Sequence, residues 1–114
     1  MINLDTTLLD DVSNGDSDFK LLLLGMIKEE LISSLPEMIF CYEKGDFTGL
    51  HTLSHKLKTT LGYAQNQNIV ELNTFIEHNS KLILPDPLVY EYLVQMNKLL
   101  PGYIEGLENL ASNL

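Results

Sequence analysis

Residues 50–64 read LHTLSHKLKTTLGYA, and this stretch indicates how the chain folds. An α-helix turns by about 100° per residue, because roughly 3.6 residues complete one turn. With Leu57 set at zero, five residues fall within roughly 60° on either side, which is the width of stripe that a globular helix buries: Leu50, Leu53, Ser54, Leu61 and Ala64. The stretch therefore predicts an amphipathic helix with Leu57 near the middle of its buried face.

Upstream of this stretch, the sequence predicts two helices. The first is short and spans Asp5 to Val12, because residues 13–15 read Ser-Asn-Gly, a turn signal. The second is long: Asp16 or Ser17 can cap its start, and Gly45 ends it after about residue 44, as glycine does just past a helix. Asp46 can then cap the helix that carries residues 50–64.

The long helix has apolar residues at helical spacing, and we expect their face to meet partner helices. Pro36 lies inside this helix, where it removes a backbone donor and clashes with the preceding turn. A kink is therefore expected near residues 33–35. The apolar residues assigned to the buried face are Phe19, Leu22, Leu23, Met26, Ile27 and Leu31.

Two more helices are predicted downstream. The polar residues 65–68 open one of them, with Ile69, Leu72, Phe75 and Ile76 on one face. Pro85 and Pro87 bracket Asp86, which is a good N-cap when proline takes the first helical position. The last helix carries Leu88, Tyr92, Met96, Leu99 and Leu100, and Pro101-Gly102 should kink or break it before it frays near Ala111.

These helices indicate an all-α fold. No stretch shows the strict alternation of a strand long enough to seed a sheet. Four long amphipathic segments with short connections fit an antiparallel up-and-down four-helix bundle, with the short N-terminal helix across one end. A chain of 114 residues is expected to form a single domain, residues 1–114.

The composition excludes several classes of function. The chain has 16 acidic residues, 7 lysines and no arginine, with a net charge of −9, which argues against binding to nucleic acids or anionic membranes. The apolar run Leu21 to Leu24 is far shorter than the ~20 residues that span a bilayer. Acids at the N-terminus are unlike a signal peptide, so we expect a cytoplasmic protein.

The single cysteine, Cys41, fits a reducing compartment and is expected to be a buried, inert thiol.

His55 is the residue that suggests a function. It falls at roughly 160° from Leu57 and therefore points away from the core. Side chains three and four positions apart are neighbours on a helix, so His51, Lys58 and Thr59 surround His55, and Gly62 lies one turn further along. These residues form a polar patch around a nucleophilic ring.

The charge of this region differs from that of the whole chain. Between Phe47 and Val70 there is no Asp or Glu, while Lys56 and Lys58 add positive charge. In a protein of net charge −9, a locally basic surface beside a histidine indicates a site that tolerates an anion. Lys56 falls at roughly 260° on the same wheel and points away from His55.

The residues around His55 resemble the histidine-containing phosphotransfer (HPt) domain of multistep two-component signalling. The family's central motif runs His, any residue, Leu or Ile, Lys, Gly, with small residues and a further glycine beyond; residues 55–62 read HKLKTTLG. Asp46 stands where the family usually has an Asp that opens the histidine helix, and residues 75–77, Phe-Ile-Glu, resemble the end of the following helix. The resemblance covers nearly the whole chain in order.

The resemblance implies a phosphocarrier rather than an enzyme. His55 would accept a phosphoryl group from a receiver-domain aspartate, and Lys58 would offset its charge. The partners would be response-regulator receiver domains and a hybrid sensor histidine kinase, acting on a monomer of this chain. The receiver would dock on His51, Thr59 and Gly62, with Lys56 in a minor steering role. No cofactor is expected, since Mg²⁺ would belong to the receiver and no glycine-rich nucleotide loop is present.

Two other interpretations stay open. Thr59 stands where the family has glycine, so the chain could be a degenerate HPt-like adaptor that binds a partner without phosphorylation. Alternatively, His51 and His55 have the i, i+4 spacing of two metal ligands on one helix. The metal interpretation is weaker, because Thr52 stands where the zinc-protease motif needs Glu. No third ligand is assured by the sequence.

Overall fold

The structure, a computed structural model, describes residues 2–82 and 86–114. Within this part of the chain there are five helices and no β-strand. They are α1 (Thr7–Ser13), α2 (Ser17–Lys44), α3 (Phe47–Tyr63), α4 (Gln67–Asn79) and α5 (Leu88–Ser112). The predicted all-α class is confirmed.

Capping side chains set where most of these helices begin. The carboxylate of Asp16 accepts a hydrogen bond from the backbone N–H of Phe19, and Asp46 accepts one from Gly49. Asn66, which the sequence interpretation did not single out as a cap, accepts a hydrogen bond from the backbone N–H of Ile69 at the start of α4. Each bond satisfies one of the amide groups that the first helical turn leaves without a partner.

The cap of α5 differs slightly from the prediction. The side chain of Asp86 accepts a hydrogen bond from the backbone N–H of Leu88 at 2.9 Å, but the residue at the N-cap position is Pro87 rather than Asp86. The helix itself begins at Leu88, one residue later than the predicted start at Pro87. Pro85, the other proline that brackets Asp86, lies outside the described residues.

Both internal prolines lie inside continuous helices. Of the kink or break expected at Pro101, the break does not occur, since α5 continues without interruption to Ser112; α2 likewise continues through Pro36. A proline removes one hydrogen bond from a helix, whereas apolar contacts hold the helix on both sides of it. In α5 these contacts come from Met96 before the proline and from Tyr103 after it, both of which are buried.

The four longer helices pack in a cycle. Helix α2 contacts α3 and α5, while α4 also contacts α3 and α5; the short α1 packs against α2 and α3. One continuous core lies between these helices. It contains buried leucines from every helix but α4, isoleucines of α2 and α4, and methionines of α2 and α5. None of the helices formed by residues 2–82 and 86–114 is both long enough and apolar enough to cross a membrane.

The buried face of α3 is the predicted one. Leu50 and Leu57 are fully buried, Leu61 and Ala64 nearly or fully so, and Leu53 is partly buried. Ala64 follows the helix, and its carbonyl accepts a hydrogen bond of 2.5 Å from the hydroxyl of Tyr103. The end of α3 is therefore tied to α5.

The buried face of α2 matches the prediction only in part, since Ile27 and Leu31 are buried as expected. Phe19, Leu22 and Met26 were assigned to the core, but their side chains are exposed, Leu22 by 60% and Met26 by 58%. The observed stripe is Leu24, Ile27, Leu31, Leu35 and Met38. The four consecutive leucines 21–24 occur on every side of the helix, so the spacing of apolar residues alone could not select the buried side.

The inward side of α5 is formed by Val89, Leu93 and Met96, whereas Leu88 is exposed. One smaller prediction is also corrected. The thiol of Cys41 is partly rather than fully buried. Its burial, with the nearby charges of Asp46 and Glu37, raises its pKa, which agrees with the expectation of an inert thiol.

Candidate functional site

His55 lies on the outer face of α3, as the helical wheel predicted. Its side chain is 65% exposed to solvent. The fully buried Leu57, two residues later, fixes the rotation of the helix, and the Asp46 cap fixes where it starts. The imidazole is therefore held at the surface by the packing of the same helix on the other side.

Glu77 of α4 is the main partner of His55. Its side chain is only 7% exposed, and Oε2 lies 2.6 Å from Nδ1 of His55. The other carboxylate oxygen, Oε1, lies 3.4 Å from Nζ of Lys58, whose side chain is 56% exposed. One buried carboxylate thus contacts both the exposed histidine and the exposed lysine.

The electrostatics of Glu77 determine the state of the histidine ring. Burial raises the pKa of the Glu77 carboxyl, but the hydrogen bonds from His55 and Lys58, together with the charge of Lys58, more than offset this effect, so the pKa lies below its ordinary value. The carboxylate is therefore ionised near neutral pH and can only accept hydrogen bonds. The proton of a neutral His55 ring consequently resides on Nδ1, and Nε2 carries the lone pair.

His51 binds the same residue of α4 through the main chain. Its Nδ1–H donates to the backbone carbonyl of Glu77 at 2.8 Å. This carbonyl belongs to the last turn of α4, where the helix itself supplies few donors. The rings of His51 and His55 are nearly parallel, with centroids 6.2 Å apart and planes at 18°. The bond to Glu77 therefore holds the His51 ring beside that of His55.

A buried polar pair lies directly beneath these contacts. The hydroxyl of Ser54 donates to Oδ1 of Asn73 at 2.8 Å, and Nδ2 of Asn73 donates to the carbonyl of Ser54 at 3.0 Å. Ser54 is fully buried and Asn73 is 2% exposed. Helices α3 and α4 are therefore joined by directional bonds as well as by apolar contacts.

The other predicted site residues take different positions. Thr59 is exposed one turn after His55, and Gly62 is partly exposed one turn further. A Cβ added at Gly62 would meet no atom within 4 Å, so the surface above this glycine is open. Lys56 faces α2 instead, where it lines a surface groove with Glu29, Glu30 and Ser33. The structure thus brings His51, Lys58 and Thr59 around His55 and leaves Lys56 aside.

The sequence interpretation missed Glu77 as a site residue. It described the surface beside His55 as locally basic, because no Asp or Glu lies between Phe47 and Val70. In three dimensions, α4 adds the carboxylate of Glu77 to this surface. The spacing of apolar residues gave no signal for it, because Glu77 lies well off the face predicted from Ile69, Leu72, Phe75 and Ile76.

The geometry also bears on the alternative of a metal site. Within residues 2–82 and 86–114, no group of three or more His, Cys, Asp or Glu side chains is arranged to hold a metal ion. His51 and His55 both direct Nδ1 at Glu77. Their rings would have to leave the parallel arrangement for both Nε2 atoms to approach one zinc ion at about 2.1 Å.

Comparisons with known proteins identified no relative, so the interpretation of the site rests on its geometry. A scan against protein-family models, a search of curated proteins and a search of solved structures each found no match to the chain.

Proposed function

We propose that this chain is a histidine phosphotransfer protein of the HPt class. In this proposal, α2 to α5 form an antiparallel up-and-down four-helix bundle, α1 is added at the N-terminus, and residues 1–114 make a single domain. The cyclic packing of α2, α3, α4 and α5 supports the bundle.

The bond between His55 and Glu77 is the observation that carries the proposal. A phosphoacceptor histidine needs one ring nitrogen with a free lone pair and an approach from solvent. The ionised Glu77 holds the proton on Nδ1, so Nε2 is the nucleophile. The ring is 65% exposed, which gives a second protein access to it.

The reaction transfers a phosphoryl group without a net change of oxidation state. Nε2 of His55 attacks the phosphorus of an aspartyl phosphate in line, and a P–N bond forms as the P–O bond to the aspartate breaks. The aspartate leaves as a carboxylate with the electron pair of the broken bond. The phosphorylated ring keeps its Nδ1 proton and gains positive charge, which the Glu77 carboxylate stabilises.

Lys58 supplies the cation for the transferred group. Its Nζ lies 3.4 Å from Glu77, at the edge of hydrogen-bond distance, and most of its side chain is exposed. A lysine on a flexible stem can move towards a phosphoryl group on the neighbouring ring and form charge-assisted hydrogen bonds.

The proposed partners are response-regulator receiver domains and a hybrid sensor histidine kinase, which would meet this chain as a cytoplasmic monomer. A receiver would dock over Thr59 and Gly62, with His51 at the edge and Lys56 in a minor steering role; the surface above Gly62 is open. The chain acts as carrier rather than enzyme, without a cofactor of its own. Mg²⁺ would be bound by the receiver.

A degenerate adaptor is the second candidate function, because Thr59 is exposed directly beside His55. A β-branched side chain at this position takes space that a docked receiver and a phosphoryl group would otherwise share. An adaptor would bind its partner equally well with or without His55.

Phosphate transfer tests the proposal. Phosphorylated receiver domains from the same organism are incubated with the chain and Mg²⁺, and label that is acid-labile and base-stable is measured on wild type, His55→Gln and His78→Gln. His78 is an exposed histidine of α4 outside the patch and serves as the matched control.

We expect label on wild type and on His78→Gln but not on His55→Gln. Absence of label from every receiver, while the chain is folded and still binds one of them, would contradict phosphotransfer and support the adaptor. Equal labelling of His55→Gln would assign the phosphoryl group to another residue.

A further inference from the structure

We propose that the buried pair of Ser54 and Asn73 is a positioning device, which sets the register of α3 against α4 so that Glu77 meets His55. This inference rests on the proposed function for its consequence, the rate of transfer. The proposal also predicts the tautomer of the His55 ring, which can be measured independently of any phosphate transfer.

The pair is the buried, directional connection next to the site. Ser54 donates to the side chain of Asn73, and Asn73 donates back to the main chain of Ser54, at 2.8 and 3.0 Å. The Ser54 hydroxyl also lies 3.1 Å from the carbonyl of Asn73. Both residues are almost completely excluded from water, so a shifted arrangement would leave buried polar groups without partners.

The apolar contacts around the pair have no such directional requirement. Burial of Leu57, Ile69 and Ile76 depends on area removed from water and not on the angle of a bond. Apolar residues alone therefore tolerate small shifts between two helices. A single buried asparagine is known to specify the register of paired helices, at the expense of some stability.

In both helices, the pair lies close in sequence to the residues that it would position. Ser54 precedes His55 directly, and Asn73 lies four residues, about one turn, before Glu77. A shift of α4 by one residue would move Glu77 by about 1.5 Å along the helix and about 100° around it. The 2.6 Å bond from His55 to Glu77 would not survive either displacement.

A second connection holds the same turn of α4. His51 donates to the main-chain carbonyl of Glu77, so the helix is tied at Asn73 and again at Glu77. The main-chain bond does not select the direction of the Glu77 side chain. The Ser54 and Asn73 pair, together with the surrounding packing, therefore determines whether the carboxylate faces His55.

The test uses the double variant Ser54→Ala/Asn73→Leu. Both polar partners are replaced by apolar groups, which leaves no buried hydrogen-bonding side chain unpaired and keeps the same branching of the side chain at position 73. Ser54→Ala alone is the second variant, because it removes a single hydroxyl and is the smaller disturbance of folding. Ile76→Val, at a fully buried position beside Glu77, is the control that loses packing without losing a directional bond.

The main readout is the tautomer of His55, measured by long-range ¹H–¹⁵N NMR at a pH where the ring is neutral. Wild type and Ile76→Val should show the proton on Nδ1. In the double variant the Nδ1–H form should fall from the major to the minor tautomer, and Ser54→Ala should show a smaller shift in the same direction. Transfer from a phosphorylated receiver should slow by about 10- to 100-fold in the double variant, the effect of a misplacement on the order of 1 Å.

The outcomes separate the two proposals. A folded double variant with the wild-type tautomer would overturn the positioning role, and so would an equal loss of the Nδ1–H form in Ile76→Val. If the double variant does not fold, Ser54→Ala is used in its place. A wild-type tautomer in Ser54→Ala would then overturn the positioning role, and a shift away from the Nδ1–H form would support it. If wild type accepts no phosphate but the tautomer changes as described, the proposed function fails and the positioning of Glu77 stands.

Discussion

Replacing Glu77 by glutamine removes one charge from the site and keeps nearly the same shape. Glu77→Gln leaves an amide oxygen that can still accept from Nδ1 of His55, which the carboxylate contacts at 2.6 Å. The amide cannot balance the positive charge that the ring would gain on phosphorylation in the proposed function. We therefore expect the variant to fold and to transfer phosphate more slowly.

The magnitude follows from the strength of the bond that is weakened. A hydrogen bond to a charged group contributes about 1.5–3 kcal/mol and a neutral one about 0.5–1.5 kcal/mol, so the substitution loses about 1–2 kcal/mol. Each 1.36 kcal/mol changes a rate tenfold, which predicts transfer slowed by about 5- to 30-fold. Glu77→Ala removes the whole bond and should slow transfer by about 10- to 150-fold.

The effect on folding should be smaller than the effect on transfer. Both partners of Glu77, His55 and Lys58, are more than half exposed, so solvent screens their attraction to the carboxylate. The free energy of unfolding should fall by about 1 kcal/mol in Glu77→Gln. Urea unfolding followed by circular dichroism measures this loss.

The assay is the initial rate of label transfer from a phosphorylated receiver at several chain concentrations. Glu71→Gln is the matched control, because it removes the same charge from an exposed position of the same helix and should transfer at the wild-type rate. The reasoning is refuted if Glu77→Gln and Glu77→Ala are both folded and both transfer at the wild-type rate.

Other predictions concern stability, the helix cap and the docking surface. The pKa of Glu77 lies below its ordinary 4.5 in the folded chain, so its contribution to stability is complete above about pH 4.5 and is lost as the pH falls through the folded-state pKa; the unfolding free energy of Glu77→Gln should therefore decline less in acid. Leu57→Ala, at a fully buried position, should lower the free energy of unfolding in urea by about 2–5 kcal/mol. Asp46→Ala removes the cap of α3 and should lower it by about 1 kcal/mol, and an unchanged urea midpoint would contradict that role. Thr59→Gly should speed transfer from a receiver if the threonine crowds the site; an unchanged rate would show that it does not.

The sequence predicted the helices well, because their boundaries depend on local residues. Asp16, Asp46 and Gly45 act at the ends of helices where the sequence placed them. The stripe centred on Leu57 was also correct, since its polar and apolar sides differ clearly. These features can be read from a few neighbouring positions.

The buried face of α2 and the residue that binds His55 could not be predicted from neighbouring positions in this way. Leu22 and Met26 are as apolar as the buried Leu24 and Ile27, so only the packing of other helices decides which side is covered. Glu77 is 22 residues from His55 in the chain, and the distance between their side chains depends on how α3 and α4 pack. Tertiary contacts of this kind leave no periodic signal in the sequence.

The location of all these contacts within one helical hairpin has a consequence for folding. The side-chain bonds that join α3 and α4 at the site link residues 19 to 26 positions apart. Closing a loop of this size has a low entropic cost, and local contacts of this kind favour rapid folding. The residues that pair His55 with Glu77 all lie in the segment from Asp46 to Asn79, so the contact that sets the tautomer of the His55 ring can form as early in folding as α3 and α4 meet.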